Sequence, residues 1–173
     1  MKYYYHFGKK TMNHVTVSVR PLFQRLNICE RENIEDVVDK IKEMDSKNTP
    51  LGRDCLHTEY NIIQPMREFI TIYSVGDTGD VVLGVVTFYI HHRDICMETL
   101  CSPFIPEAKG VGVELVRMVK RLMRLMKLHK IFVASLRTST KFYEKNGFLV
   151  DGSCCDQFDE YPYVDMVYKR VSF

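Results

Sequence analysis

Little in this chain points to a nucleic acid, a membrane or a metal. Its net charge is only +2 over 173 residues, so the strongly basic footprint of a nucleic-acid binder is missing. No apolar run approaches the roughly 18 residues of a membrane span. The opening MKYYYHFGKK lacks the apolar stretch expected of a secretory signal. The six cysteines, Cys29, Cys55, Cys96, Cys101, Cys154 and Cys155, lack the paired spacing of a structural metal site. Two fall in predicted strands of a chain read as unsecreted, so reduced thiols and a cytoplasmic or nuclear location are expected. Internal repeats, low-complexity tracts and interdomain linkers are also missing. What remains has the 46% hydrophobic and 27% charged residues of an ordinary globular protein. The length suits one domain with a sizeable core.

Residues 1–13 are aromatic and basic without clear periodicity and read as a mobile arm; residues 14–173 read as the single domain. Val15, Val17 and Val19 alternate with polar residues, which predicts a first strand. Residues 30–44 carry Ile34, Val37, Val38 and Ile41 on one face, the pattern of an amphipathic helix. Residues 48–52 break it, and a short second helix is expected over 53–60. Residues 69–75 read as a strand, Gly76 to Gly79 as a hairpin turn, and 81–90 as a longer strand with Gly84 inside it.

The richest stretch runs from residue 94 to residue 148. An apolar strand (DICMETLCSPF) with Glu98 inside it leads to Lys109-Gly-Val-Gly112. A long helix follows over about 110–128, with Val111, Leu115, Met118, Leu122 and Leu125 recurring at three and four residues. Glycines between a strand and a helix allow close backbone approach to a ligand, and the exposed amides at the helix start favour a phosphate. Residues 131–135 form the next strand, parallel to the one before the helix because the crossover is right-handed. A short helix over 138–146 carries FYEKNGF, with Gly147 as its left-handed stop. Two last strands, over 148–152 and 163–171, close the sheet.

This order of elements, with Glu98, Lys109, Gly110, Val111 and Gly112 in one segment and Phe142, Tyr143, Glu144, Lys145, Gly147 and Phe148 in the other, resembles the GNAT superfamily of acetyl-CoA-dependent N-acetyltransferases. The resemblance implies an α+β fold: a mixed, mostly antiparallel sheet with a splayed parallel strand pair and flanking helices. It implies acetyl-CoA as cosubstrate, no metal, and direct transfer to a primary amine in a ternary complex. Leu100, Cys101 and Ser102 are then expected to grip the pantetheine arm through their backbone. Ala108, Lys109, Gly110, Val111 and Gly112, with Arg137, are expected around the pyrophosphate.

Two side chains carry the expected chemistry. Glu98, flanked by Ile95, Met97 and Leu100, is the candidate base, expected to be partly desolvated. Its plain alternative is a glutamate on the polar face of a half-exposed strand. Tyr143 is the candidate acid, a phenol near pKa 10 expected to protonate the departing thiolate, whose thiol lies near 8.5; its plain alternative is a core aromatic. Cys101 reads as a structural thiol, since no histidine is placed by sequence to activate it.

Two features depart from the family pattern. Glu107 stands where an arginine or glutamine is usual, and Leu136 and Arg137 stand where an asparagine is common. They motivate an alternative reading, a catalytically degenerate GNAT-shaped binding or regulatory module. The basic helix face of Arg117, Lys120, Arg121, Arg124 and Lys127 reads as solvated surface rather than a nucleic-acid site. His91, His92 and His129 read as structural. Asp156, Asp159, Glu160 and Asp165 beside Tyr161 and Tyr163 suggest a cationic acceptor, such as a polyamine, a lysine side chain or an aminoglycoside-like amine. The loop over 48–60 is the other expected wall of that cleft, and homodimerisation is left open.

Overall fold

A computed structural model describes residues 1–8, 15–31, 38–40, 69–79, 81–103, 105–152 and 163–170, with 15–18 described by backbone alone. They form one eight-stranded sheet. In chain order the elements are β1 (Lys2–Phe7), α1 (Val15–Arg25), β2 (Cys29–Glu30), β3 (Ile70–Val75), β4 (Val82–His91), β5 (Asp94–Cys101), α2 (Val111–Leu125), β6 (Lys130–Leu136), α3 (Thr140–Lys145), β7 (Leu149–Val150) and β8 (Tyr163–Lys169). The strands lie in the order β2-β1-β3-β4-β5-β6-β8-β7. Only β1–β2 and β5–β6 pair in parallel. The predicted mixed, mostly antiparallel sheet with a parallel pair near its middle is therefore present.

Two expectations near the N-terminus are corrected. Residues 2–7 are not a mobile arm: they pair along their whole length with β3, from Lys2 opposite Val75 to Phe7 opposite Ile70. Both faces of β1 are covered, which hides the alternation. Tyr5 stacks on Phe23 of α1 at 4.1 Å between ring centroids, while Tyr4 stacks on Tyr73 from the other side at 5.6 Å. The alternating valines from Val15 begin a helix, not a strand. Val19 and Phe23, four apart, are both fully buried on one helical face, so a spacing of four also fits the pattern read as a spacing of two. Of the helix expected over 30–44, residues 38–40 are helical and Glu30 belongs to β2. Arg31 is not helical, its N–H bonding the Tyr5 carbonyl at 3.0 Å, and residues 32–37 and 41–44, like the helix expected over 53–60, lie outside the described residues.

The central elements follow the sequence closely. The turn from Gly76 closes with Gly79 N–H on the Gly76 carbonyl at 3.0 Å. Helix α2 buries Val111, Leu115, Val116, Val119, Leu122 and Met123, each worth about 1.5–3 kcal/mol of burial. Met118 packs at the edge of this stripe and Leu125, at 40% exposure, lies outside it. Most of the core lies between the sheet and α1 and α2. A smaller cluster on the opposite face joins Val38, Tyr73, Val75, Val82, Val85 and Cys101.

One glycine sets how closely α2 lies on the sheet. A Cβ at Gly84 would come within 2.6 Å of Val111 Cγ1, 3.1 Å of Leu115 Cδ1 and 3.3 Å of the Cys101 carbonyl oxygen. Gly84→Ala should therefore push the start of α2 off β4 and cost about 1–3 kcal/mol, read as a lower urea midpoint. Gly152→Ala, where a Cβ meets nothing within 4 Å, should stay within about 0.5 kcal/mol of wild type.

Candidate active site

The parallel ladder between β5 and β6 ends early. It runs from Asp94 opposite Lys130 to Met97 opposite Val133 and stops. Both strands continue, β5 to Cys101 and β6 to Leu136, and each stays paired with its outer neighbour. Cys101 still faces Val85 on β4, and Leu136 still faces Tyr163 on β8. The two strands thus part after Met97 and Val133.

Glu98 sits where they part. It is the first β5 residue beyond the last β6 pair, and it is also a bulge: Thr87 pairs with Thr99 and Phe88 with Met97, so Glu98 has no opposite number on β4. A bulge re-aims a side chain and twists the strand locally. The expected desolvation of Glu98 is corrected, because the residue is exposed. Its charge is felt nearby: burial chiefly, with Glu98 and Asp94 adding, raises the Cys96 thiol, against a hydrogen bond to Tyr89.

The chain order places a 3-10 turn and the start of α2 just past the end of β5. β5 leaves at Cys101, passes a short 3-10 turn at Pro106–Ala108 and enters α2 at Val111. Gly110 is the N-cap, with φ of +85° and no side-chain cap, so the first-turn amides of α2 have no side-chain acceptor at the cap. Gly112 stands half-buried in that first turn. A Cβ there would come 3.6 Å from the Phe142 ring and 3.9 Å from Ser102 Oγ. The start of α2, the end of β5 and α3 therefore meet at Gly112, while Val111 and the Cys101 carbonyl both lie against Gly84. Leu100 and Ser102 are half-buried, Cys101 and Ala108 buried, and Lys109, Gly110 and Arg137 exposed. Glu107 is exposed as well.

Tyr143 is only 6% exposed and belongs to the main core. Phe142 and Phe148 meet its ring edge-on, with centroids at 5.2 and 5.4 Å. Burial pushes its phenol well above the ordinary value of 10. Full proton transfer from a phenol to a thiolate is already uphill by roughly 1.5 pKa units, and burial steepens the climb. A buried Tyr143 is therefore suited to donating a hydrogen bond, not to surrendering its proton.

Cys101 differs from the expected free thiol: it is disulfide-bonded, to a partner outside the described residues, while Cys29 and Cys96 are free. Asp156, Asp159, Glu160, Tyr161 and the loop over 48–60 also lie outside the described residues. His91 at the end of β4, His92 in the turn after it and His129 just before β6 are all exposed. Sequence reading passed over a threonine row that crosses three strands in register, Thr71 opposite Thr87 and Thr87 opposite Thr99. All three are buried, and Thr87 Oγ1 has no hydrogen-bond partner among the described residues. Gly84 was placed inside its strand without a role, although a glycine inside an apolar strand is itself a signal of close backbone approach.

No family model and no curated protein sequence matches the chain. Solved structures do. Tetrahymena GCN5 superposes with a TM-score of 0.59 at 13% identity, covering 77% of this chain and 86% of that one. The Enterococcus faecium aminoglycoside 6'-N-acetyltransferase gives 0.58 at 13%, covering 79% and 92%. The Thermoplasma acidophilum PaiA N-acetyltransferase, solved with coenzyme A, gives 0.54 at 14%, covering 79% and 92%. The chain has the fold that these acetyltransferases share.

Proposed function

We propose that this GNAT-fold chain transfers an acetyl group from acetyl-CoA to a primary amine by direct attack in a ternary complex. One observation carries the reading: β5 and β6 part directly after Met97 and Val133, at the end of the sheet where α2 begins with a left-handed glycine. The gap suits the pantetheine arm, with strand backbone on both sides. The first turn of α2 suits the pyrophosphate, through its amides and the positive end of the helix dipole. Glu107 is exposed, which fits phosphate contacts made by main chain with Lys109 and Arg137 beside them.

In this reading acetyl-CoA supplies an activated thioester, and the protein's work is chiefly positioning. Glu98 takes the acceptor's ammonium proton through water; its exposure at the bulge suits a relay of that kind. Backbone amides around Leu100 to Ser102 hydrogen-bond the developing oxyanion. Tyr143 donates a hydrogen bond to the departing sulfur, which leaves as a thiolate and takes up, through water, the proton that the nitrogen loses as the amide forms. The acceptor is a cationic amine of the polyamine, lysine or aminoglycoside kind. Asp165 supports that choice: it is exposed on β8, opposite Ala134, one residue past the last β5–β6 pair.

Thermal unfolding with coenzyme A and acetyl-CoA tests the reading. A ligand at 100 times its dissociation constant stabilises the folded state by about 2.7 kcal/mol, a rise of roughly 5–10 °C for a chain of this size. No shift at millimolar ligand would instead favour the degenerate binding module. A positive shift leads to an amine panel read by thiol release.

A further inference from the structure

Lys120 differs from the other cations of α2. Arg117, Arg121 and Arg124 are exposed, whereas Lys120 is half-buried. Its ammonium donates a hydrogen bond to the Asn146 carbonyl. It lies 3.9 Å from the centroid of the Tyr168 ring and 5.2 Å from that of Phe148. A Cβ on Gly147 would sit 3.9 Å from it. One charged group thus reaches the turn that ends α3 and the rings beside it.

That turn leads directly to Tyr143. Asn146 caps α3, its N–H bonded to the Phe142 and Tyr143 carbonyls and its side-chain amide to the Phe142 carbonyl at 2.9 Å. Gly147 N–H donates to the Glu144 carbonyl at 2.8 Å, and Phe148 N–H to the Tyr143 carbonyl at 3.0 Å. The Phe148 ring, under the Lys120 ammonium, meets the Tyr143 ring edge-on. With only six residues, α3 has little helical stability of its own and depends on such tertiary contacts.

We propose that Lys120 is a positioning residue for acetyl transfer: its ammonium pins the C-terminal turn of α3 to α2 and so fixes Tyr143 against the helix whose first turn faces the strand gap. The proposal rests on the reading of Tyr143 as a hydrogen-bond donor to the leaving sulfur. Holding a cation there has a cost, since burial first and Arg124 second pull the Lys120 pKa down to about 8. The two ring faces and the carbonyl oppose that pull. A lysine serving only solubility would avoid it by turning to solvent, as its neighbours on α2 do.

Lys120→Met and Lys120→Arg, alone and combined with Tyr143→Phe, test the proposal by thiol release from acetyl-CoA. Lys120→Met should lower kcat about tenfold with the KM for acetyl-CoA within about twofold, and Lys120→Arg should recover most of the loss. In the Tyr143→Phe background, Lys120→Met should cost less than about twofold more, because one residue acts through the other. Full multiplication of the two losses would overturn the proposal. Amide hydrogen exchange provides a readout independent of turnover. Lys120→Met should speed exchange at Gly147 and Phe148 by about fivefold or more while β3 and β4 keep wild-type rates. Unchanged exchange at those two amides would overturn it. If wild type turns over no amine, the acetyl-transfer reading fails, and with it Lys120's positioning role in turnover, while exchange still decides whether the clamp exists.

Discussion

Gly112→Asp is expected to abolish stabilisation by coenzyme A while leaving the unliganded protein as stable as wild type or slightly more so. The two halves have separate causes. In the first turn of a helix an acid is favourable to the dipole by about 0.3–1 kcal/mol, and replacing glycine inside a helix regains a few tenths more. Space is available too, because a Cβ at Gly112 makes ordinary contacts with Phe142 and Ser102. A pyrophosphate placed over the same turn would meet a carboxylate within a few ångströms. Two like charges about 4 Å apart repel by about 1–4 kcal/mol between bulk water and a protein surface, so the expected loss is roughly 100-fold in affinity. Calorimetric titration of coenzyme A, with thermal unfolding of the unliganded variant, reads both halves. A variant that binds as tightly as wild type would move the phosphate away from this turn. One that loses its fold would show that Gly112 serves packing alone.

Gly112 was legible in the sequence, whereas what surrounds it was not. Elements whose one face is buried and other face solvated announce themselves by period, as β6 and α2 do, while β3 and β4, buried on both faces, show as short apolar runs bounded by turn residues. β1 does not, because Tyr4 is covered on one side and Tyr5 on the other. Its aromatic run therefore looks like an unpatterned arm. The Val15 to Val19 segment fails for a different reason: five residues hold too few repeats to separate a spacing of two from a spacing of four. The parting of β5 and β6 leaves no mark in either strand, since both stay paired on their outer edges. Glu98 could be singled out as an acid in an apolar strand, but not as a bulge, because a bulge is a property of the pair and not of one strand. Lys120 was counted with a solvated basic face, since helical position alone cannot tell a lysine that bends inward over two rings from its exposed neighbours.

Tyr143→Phe is expected to lower kcat about 10–100-fold, with acetyl-CoA affinity and melting temperature close to wild type. The ring does the packing, between Phe142 and Phe148, and phenylalanine keeps the ring. What is lost is one O–H. A hydrogen bond from a neutral donor to a developing thiolate is worth about 1.5–3 kcal/mol, and each 1.36 kcal/mol on the barrier is tenfold in rate. The pH dependence separates donation from proton transfer. Burial raises the phenol well above its usual value, so the protonated form persists as pH rises, and wild-type kcat should show no alkaline fall caused by Tyr143 below about pH 10. An acid that had to release its proton each cycle would instead work best near its own pKa and be slow at neutrality. If Tyr143→Phe matches wild type in kcat, the residue is a core aromatic and the departing thiolate needs no donor from α3. If kcat and cofactor affinity fall together, the hydroxyl acts on binding, and the acid side of the site lies elsewhere in the gap.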